Sequence, residues 1–334
     1  MSFVSEIAAH VVLLDGGLAT RLEARGHDLS DSLWSARLLL EQPQEVRAAH
    51  ADFFAAGARV AITASYQLSE TGLRAAGRDT GALEPALRRS VTLAREAARE
   101  TESDDPRPRF VAASVGPYGA ALADGSEYRG DYGLTVAQLR AWHRPRLEIL
   151  ADAGADVLAL ETVPCLAEAE ALVAEVDRLG VPAWLSMTPD GARTRLGEPL
   201  GAAFAIAASS RHVVAVGANC FDPGDAATVL AEAGRAAPGV PRLLYPNSGE
   251  TWDARARRWT GSPTIGAAAA ASWVAGGARL VGGCCRVSPE LIAAMNSGLS
   301  QQPTEQPTQQ PTQKPTEQPT GETVGEPTRG PSAP

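Results

Sequence analysis

Apolar and polar positions alternate along the chain in a regular way. Short runs rich in β-branched residues are followed by longer segments rich in alanine and leucine. The short runs indicate strands and the longer segments indicate helices, because these residue types favour those two structures. Eight strand candidates follow one another: VVLLDGG, VAITASY, FVAASVGPYG, VLALET, AWLSMT, VVAVGANC, LLYPNSG and ARLVGGCC.

Helix candidates separate these strands, among them SARLLLEQPQEVRAAHADFFAAG, LEPALRRSVTLAREAARE and LAEAEALVAEVDRLG. Strands that alternate with helices favour a parallel sheet with helical crossovers. Eight such units can close into a (β/α)8 barrel, which typically takes about 250 residues. An open, doubly wound sheet could also use eight strands, so the pattern alone leaves both architectures possible.

The last part of the chain has a different amino-acid composition. From residue 299 it repeats threonine, glutamine, glutamate and proline with almost no apolar residue. Such a segment buries too little to offset the entropy cost of ordering, and its prolines remove backbone donors. We therefore predict an α/β domain over residues 1–298 and a disordered tail over residues 299–334.

Each strand candidate begins apolar and ends in a polar, glycine or cysteine residue. In a barrel these ends meet on one face, which carries the active site in essentially every characterised example. The sequence therefore predicts a site that gathers residues from distant parts of the chain. The strand ends hold Asp15, Ser65, Ser114, Glu161, Thr188, Cys220, Asn247 and Cys284.

Three of the four cysteines fall at such ends. Cys220 ends the sixth strand candidate, and Cys284 with Cys285 ends the eighth. Three thiolates form a soft donor set that suits zinc, and a catalytic zinc keeps one position open. Gly282 and Gly283 would let the backbone turn so that both sulfurs of the pair reach one ion.

Two other readings of the paired cysteines remain open on the pattern alone. They could form a vicinal disulfide, or they could be buried as small apolar side chains. The fourth cysteine, Cys165, follows the fourth strand and is predicted to be a free thiol. The histidines are scattered and are predicted to be structural or surface residues: His10, His27, His50, His143 and His212.

Composition narrows the class of function. The net charge is −9 and the isoelectric point is about 5.2, which argues against nucleic-acid binding and against an anionic membrane surface. The first residues lack the pattern of a secretory signal, and no apolar run has the roughly 18 residues of a membrane span. We expect a cytoplasmic protein that acts on small molecules, and we make no prediction of its oligomeric state.

Several motifs together resemble the homocysteine S-methyltransferase family, and most closely its branch that uses S-methylmethionine as methyl donor. The resemblance extends from about Val11 to Asn296 and excludes the tail. It implies a (β/α)8 barrel, a Zn²⁺ bound by three cysteines, and methyl transfer to homocysteine. The motifs are LLDGG, DSLWSA, AITASYQ, SVGPYGAALADGSEYRGDY, GADVLALET, GANC, YPNSGE and GGCCR.

Residue by residue, the resemblance implies that Cys220, Cys284 and Cys285 are the zinc ligands and catalytic residues. It implies that Asp15 and Glu161 bind the amino group of homocysteine. Asn247 lies in the YPNSGE motif and is predicted to bind substrate, without a specific role.

The predicted chemistry is a displacement by the homocysteine thiolate, whose formation zinc would favour. The donor would be a sulfonium, and carboxylates or aromatic faces favour a cation of this kind. Tyr66, Tyr118, Tyr128 and Tyr132 are aromatic candidates, although packing within the loops is the simpler reading for any one of them.

Two alternatives differ from this function. S-adenosylmethionine, betaine or a methylated cobalamin could be the donor, although we expect no cobalamin-type domain in a chain of this length. A non-catalytic barrel could instead use its cysteines to store zinc or to sense redox state. Asp15 and Glu161 argue against that second alternative, because zinc storage needs no pocket for an amine.

Overall fold

The computed structural model describes residues 1–29, 33–102, 105–253 and 258–300. Its strands carry the short apolar runs identified in the sequence, and eight of them form one sheet. In chain order the strands of the described residues are β1 (Val12–Leu13), β2 (Val60–Ile62), β3 (Phe110–Val115), β4 (Val157–Val163), β5 (Ala183–Met187), β6 (Val213–Asn219), β7 (Arg242–Tyr245), β8 (Thr251–Asp253), β9 (Arg258–Thr260) and β10 (Ala278–Val281).

The eight-stranded sheet is parallel throughout and curls back on itself. Its strand order is β1-β10-β7-β6-β5-β4-β3-β2. The two end strands meet through a parallel bridge between Leu14 and Val60. The amide of Asp15 donates to the carbonyl of Val60 at 3.0 Å, and the amide of Arg59 donates to the carbonyl of Leu13 at 2.7 Å. These contacts make the sheet a barrel, which confirms the predicted fold class.

Helices surround the barrel. Those of the described residues are α1 (Phe3–Ala9), α2 (Leu18–Ala24), α3 (Ser35–Glu41), α4 (Pro43–Ala55), α5 (Glu70–Ala75), α6 (Leu83–Glu100), α7 (Val136–Asp152), α8 (Leu166–Leu179), α9 (Leu200–Ala208), α10 (Ala226–Ala236), α11 (Ala267–Ala275) and α12 (Pro289–Ser300). None of them combines the length and the apolar character needed to cross a membrane.

One segment predicted as a single helix is divided in two. Residues 35–57 hold α3 and α4, which are separated at Gln42. Pro43 is the first residue of α4, a position that proline favours because its missing N–H has no partner there in any case. The proline therefore starts a new helix where the composition suggested continuity.

Apolar side chains form two layers. One fills the barrel, where Val12, Val60, Trp184 and Leu243 are fully buried. The other lies between the strands and the surrounding helices and is the larger of the two. This division is expected for parallel strands, which are covered on both faces and so read as continuous apolar runs.

Helix α1, which the sequence pattern did not reveal, closes the amino-terminal end of the barrel. Its Phe3 packs inside against Phe110, with ring centroids 5.5 Å apart. Its Glu6 accepts a hydrogen bond from Arg59, immediately before β2, at 3.0 Å. Both partners are buried, so the helix is held by an ion pair as well as by apolar contact. The opposite end of the barrel is left free for a site.

Two further features bear on the sequence predictions. Strands β8 and β9 form a separate antiparallel pair that was not predicted. Helix α12 continues to Ser300, whereas the tail was predicted to begin at residue 299. Residues 301–334 of that tail lie outside the described residues, so the division into residues 1–298 and 299–334 stays a prediction.

A pH-dependent stability is expected from His50, which faces the core from α4. Neither ring nitrogen has a hydrogen-bond partner in the described residues, and burial lowers its pKa to about 4. Between pH 6.5 and 4 the unfolded chain therefore binds the extra proton. This one residue should lower the free energy of unfolding by up to about 1.4 kcal/mol for each pH unit lost. We expect His50→Leu to remove this contribution.

Urea unfolding at pH 7.5, 6.5, 5.5 and 4.5 measures the effect. The control is His10→Leu, since His10 is exposed. The free energy of unfolding of this variant should depend on pH as that of the wild type does. If the free energy of unfolding changed with pH by the same amount in wild type and His50→Leu, the buried ring would not contribute in this way.

Candidate active site

The carboxyl ends of the barrel strands surround a cavity of about 920 Å³. Five of the six predicted site residues line it: Glu161, Cys220, Asn247, Cys284 and Cys285. Asp15 does not line the cavity but is buried next to Gly16, which does. The structure thus brings the predicted residues to one face of the barrel.

The three cysteines predicted to bind zinc lie together. Their Sγ atoms are all within 4.8 Å of one another, and Cys220 Sγ is 3.6 Å from Cys285 Sγ. Among the described residues, no histidine, aspartate, glutamate or further cysteine joins this group. The arrangement is a triad of thiols from two strand ends, as the sequence predicted.

Strand β7 holds the first of these strand ends in place. The amide of Cys220 donates to the carbonyl of Tyr245 at 3.3 Å, and the amide of Asn247 donates to the carbonyl of Phe221 at 3.0 Å. Cys220 itself has φ 54°, in the left-handed region that side chains other than glycine rarely adopt. These bonds therefore maintain a turn that residue type alone would disfavour.

The second strand end is held by the same segment. The amide of Cys284 donates to the carbonyl of Pro246 at 2.7 Å, and the amide of Ser248 donates to the carbonyl of Cys285 at 3.0 Å. The side chain of Asn247 accepts from the amide of Cys285 at 3.2 Å. In this structure Asn247 thus positions a cysteine. Its assignment as a substrate-binding residue stays a prediction.

The glycines before the cysteine pair are required by packing. A Cβ at Gly282 would lie 2.6 Å from Cβ of Leu14, and one at Gly283 would lie 2.3 Å from Cγ1 of Val287. The left-handed residue of this turn is Arg286, with φ 66°. The two glycines allow β10 to approach its neighbours closely, and the turn itself is completed after the cysteines.

The three thiols differ in the direction in which their pKa values are shifted. Hydrogen bonds from Cys284 and Cys285, together with one from the Tyr128 hydroxyl, hold the pKa of Cys220 well below its usual value. The hydrogen bonds that the other two thiols make to Cys220 raise the pKa of each. Cys220 is therefore the thiol that loses its proton most readily.

Of the four tyrosines considered as contacts for the donor cation, two line the cavity and two do not. Tyr66 and Tyr128 line the cavity, and the Tyr128 hydroxyl lies 3.1 Å from Cys220 Sγ. Tyr118 and Tyr132 instead pack edge to face, with ring centroids 5.3 Å apart, and do not line the cavity. For these two the simpler reading, packing within the loop, describes their position.

The two predicted amine-binding carboxylates are buried. Asp15 Oδ2 accepts from the amide of Ile62 at 2.8 Å, and Oδ1 has no partner in the described residues. Glu161 accepts from the Ser114 hydroxyl and from the Tyr245 hydroxyl, the latter at 3.2 Å. Burial raises the pKa of Asp15 well above its usual value and that of Glu161 to about 7. A bound cation would favour their ionised forms.

Asn219, directly before Cys220, was not singled out by the sequence. Its Oδ1 accepts from the amide of Thr162 and from the Ser186 hydroxyl, both at 2.7 Å, and its Nδ2 donates to the Thr162 hydroxyl at 2.8 Å. Thr162 follows Glu161 and has φ 59°. Asn219 therefore links the turn that presents Glu161 to the strand that presents Cys220.

Cys165 stands apart from the other cysteines. It is buried at the start of α8 and is not one of the three clustered thiols. Burial raises its pKa to about 12, so it stays protonated and unreactive at neutral pH. This agrees with its prediction as a free thiol, and its predicted lack of a role as a metal ligand stays a prediction.

Comparison with known proteins identifies the family. A model of the homocysteine S-methyltransferase family matches residues 12–299, which is nearly the whole described barrel. The chain belongs to the homocysteine S-methyltransferase family. It is an enzyme that transfers a methyl group to the sulfur of homocysteine. The alternative of a non-catalytic barrel is thereby set aside.

Relatives within this family match over most of their length. The homocysteine S-methyltransferase of Escherichia coli is 45% identical over 294 residues, which cover 86% of this chain and 94% of the relative. The homocysteine S-methyltransferase YbgG of Bacillus subtilis is 42% identical over 292 residues, which cover 84% of this chain and 92% of the relative.

A solved structure agrees with this assignment. The metallated form of the homocysteine methyltransferase MmuM from Escherichia coli superimposes with a TM-score of 0.76 and 43% identity. The match covers 86% of this chain and 96% of that one. A structural relative of this enzyme thus contains metal.

We expect Asn219→Ala to destabilise the protein strongly. The substitution leaves the Thr162 amide and the Ser186 hydroxyl buried without their acceptor, and each such group costs about 1–3 kcal/mol. The free energy of unfolding of the reduced, metal-free protein should fall by about 2–4 kcal/mol. Urea unfolding in the presence of a chelator measures this.

Asn247→Ala is the matched control, because it removes one hydrogen bond to the amide of Cys285 at a half-buried position. It should cost about 1 kcal/mol. Equal losses for the two variants would contradict the structural role assigned to Asn219.

Proposed function

We propose that this enzyme uses S-methylmethionine as methyl donor, giving methionine, and that Cys220, Cys284 and Cys285 bind a catalytic Zn²⁺. The single observation that carries the proposal is the triad of thiols at a cavity that Glu161 also lines, with the buried carboxylate of Asp15 next to the lining residue Gly16. A thiol triad suits a thiophilic ion, and paired buried carboxylates suit an amino acid's ammonium group.

The donor set fits zinc. Tetrahedral coordination with Zn–S bonds of about 2.3 Å would separate the sulfurs by about 3.8 Å, and Cys220 Sγ and Cys285 Sγ are 3.6 Å apart. Three sulfur ligands are the donor type that zinc accepts readily. When bound, Zn²⁺ would act as a Lewis acid that favours the thiolate form of a sulfur substrate at neutral pH.

The carboxylates supply the orientation of homocysteine. Asp15 and Glu161 are both buried. The partners that their carboxylates have within the described residues are neutral groups, one backbone amide and two hydroxyls. An ammonium group placed between them would stabilise both ionised forms, which burial otherwise disfavours. Holding that group fixes the acceptor amino acid with its sulfur near the thiol triad.

The charge of the cavity favours a cationic donor. Cys220 is the readily ionised thiol, and the carboxylates Glu127 and Glu161 also line the cavity. The rings of Trp34 and Tyr66 line it as well, with centroids 6.4 Å apart. A sulfonium gains from both kinds of neighbour. S-methylmethionine and S-adenosylmethionine share this charge, and the sequence motifs favour the former.

A donor comparison tests the first part of the proposal. With homocysteine as acceptor, kcat/KM for S-methylmethionine should exceed that for betaine by at least about 100-fold, a difference of about 2.7 kcal/mol. S-adenosylmethionine should be the slower of the two sulfonium donors. Methionine formation with each donor is measured by chromatography. Turnover with betaine alone would overturn the choice of donor.

Replacement of a cysteine tests the metal. Cys284→Ser should lower zinc content to less than a tenth of an equivalent and lower kcat/KM at least about 1,000-fold, because a hydroxyl is a far weaker zinc ligand than a thiolate. Metal analysis of the reduced protein and the methylation assay are read together.

Cys165→Ser is the matched control, since it changes a buried cysteine that lies outside the triad. It should keep about one equivalent of zinc and near wild-type turnover. Full turnover by metal-free Cys284→Ser enzyme would refute the role proposed for the ion.

A further inference from the structure

The cavity contains a carboxylate that the roles assigned so far do not use. Glu127 lines the cavity from the 3-10 turn Ser126–Tyr128. Its side chain is partly buried, and its Oε2 atom has no hydrogen-bond partner in the described residues. A buried carboxylate oxygen without a partner is costly unless a ligand completes its environment.

Glu127 lies between a close backbone contact on one side and a residue that contacts the thiol triad on the other. A Cβ at Gly119 would lie 2.4 Å from the amide nitrogen of Glu127, so the two backbone segments are in close contact. On the other side, the hydroxyl of Tyr128 lies 3.1 Å from Cys220 Sγ. Glu127 therefore directly precedes a residue whose hydroxyl contacts the thiol triad.

The neighbouring arginines are engaged with other groups. Arg129 lies near Asp124 and Asp131 at 3.6 and 3.5 Å. Arg195 donates to the carbonyl of Thr188 at 3.1 Å. Neither arginine forms a salt bridge with Glu127 within the described residues. The charge of this carboxylate is thus available to a cation that enters the cavity.

Aromatic rings share the cavity with this carboxylate. Trp34 and Tyr66 line it and pack edge to face. Aromatic faces attract cations, and the attraction is stronger where water is excluded. A carboxylate and two aromatic rings beside one cavity form an environment for a cation that carries apolar methyl groups. A primary ammonium would need acceptors for its three N–H groups, whereas a sulfonium has no N–H or O–H and needs none.

We propose that Glu127 binds the positively charged sulfonium of the methyl donor. This inference rests on the proposed function and extends it by naming a residue that selects for the charge of the donor. In the transfer, a bond forms between the homocysteine sulfur and the methyl carbon while the bond from that carbon to the donor sulfur breaks. The electron pair of the broken bond stays on the donor sulfur, which becomes a neutral thioether.

This charge balance sets the kinetic signature. The attraction between Glu127 and the donor is strongest before transfer, weaker in the transition state, and absent once the thioether has formed. An interaction that favours the ground state at least as much as the transition state lowers KM without raising kcat. Loss of Glu127 should therefore affect donor binding and leave the chemical step intact.

The experiment compares Glu127→Gln with wild-type holoenzyme. The KM for S-methylmethionine should rise at least tenfold, whereas kcat should stay within twofold or increase, and the KM for homocysteine should stay within twofold. Glu127→Asp keeps the charge and should recover part of the donor affinity. Glu170→Gln is the matched control, because Glu170 is an exposed carboxylate on α8 that does not line the cavity. It should retain wild-type constants.

Methionine separates the sulfonium from the ammonium of the donor, because it has the same ammonium and carboxylate groups but a neutral sulfur. Its inhibition constant should be unchanged in Glu127→Gln. An equal loss of affinity for methionine and S-methylmethionine would overturn the inference, as would an unchanged KM for S-methylmethionine in an active enzyme. Failure of the wild-type enzyme to use S-methylmethionine would instead refute the proposed donor, and this inference with it.

Discussion

The site depends on the hydrogen bonds that the end of β7 makes to both of its neighbours. Strand β7 lies between β6 and β10, so the segment after Tyr245 contacts the turn of Cys220 on one side and the turn of Cys284 on the other. Main-chain bonds of this kind set distances to a fraction of an ångström. Three thiols from distant parts of the chain are therefore brought together by one short segment of backbone.

The buried carboxylates extend this ordered region into the barrel. Glu161 is hydrogen bonded to Tyr245, and Tyr245 accepts from the Trp184 indole at 3.1 Å. Trp184 is part of the apolar filling of the barrel. Burial of two acids without a cation costs stability, because water no longer solvates their charge. The ammonium group proposed to lie between these two acids would relieve this cost on binding.

The long motif from Gly116 to Tyr132 combines support and site. Glu168 accepts from the amide of Tyr118 at 2.6 Å and lies 2.9 Å from Nε2 of buried His143, which anchors the start of the loop on α7 and α8. Further along, the same loop places Glu127 and Tyr128 at the cavity. The distinctive sequence of this loop is consistent with both demands, because its start packs against α7 and α8 while residues further along line the cavity.

The alternation of short β-branched runs with alanine-rich segments determined the eight strands and favoured their parallel arrangement. Together with the polar strand ends it also determined which cysteines and acids meet. Closure into a barrel rather than an open sheet was decided by the tertiary contacts between the two end strands. Helix α1 was not predicted because it is short. The break at Gln42 was not predicted because the residues on both sides of it favour a helix. Only the tertiary structure placed Glu127 at the cavity and revealed the contacts of Asn219 and Tyr128. Their partners lie on strands and loops far apart in sequence, and left-handed turns at Cys220 and Thr162 are maintained by those contacts rather than by residue type.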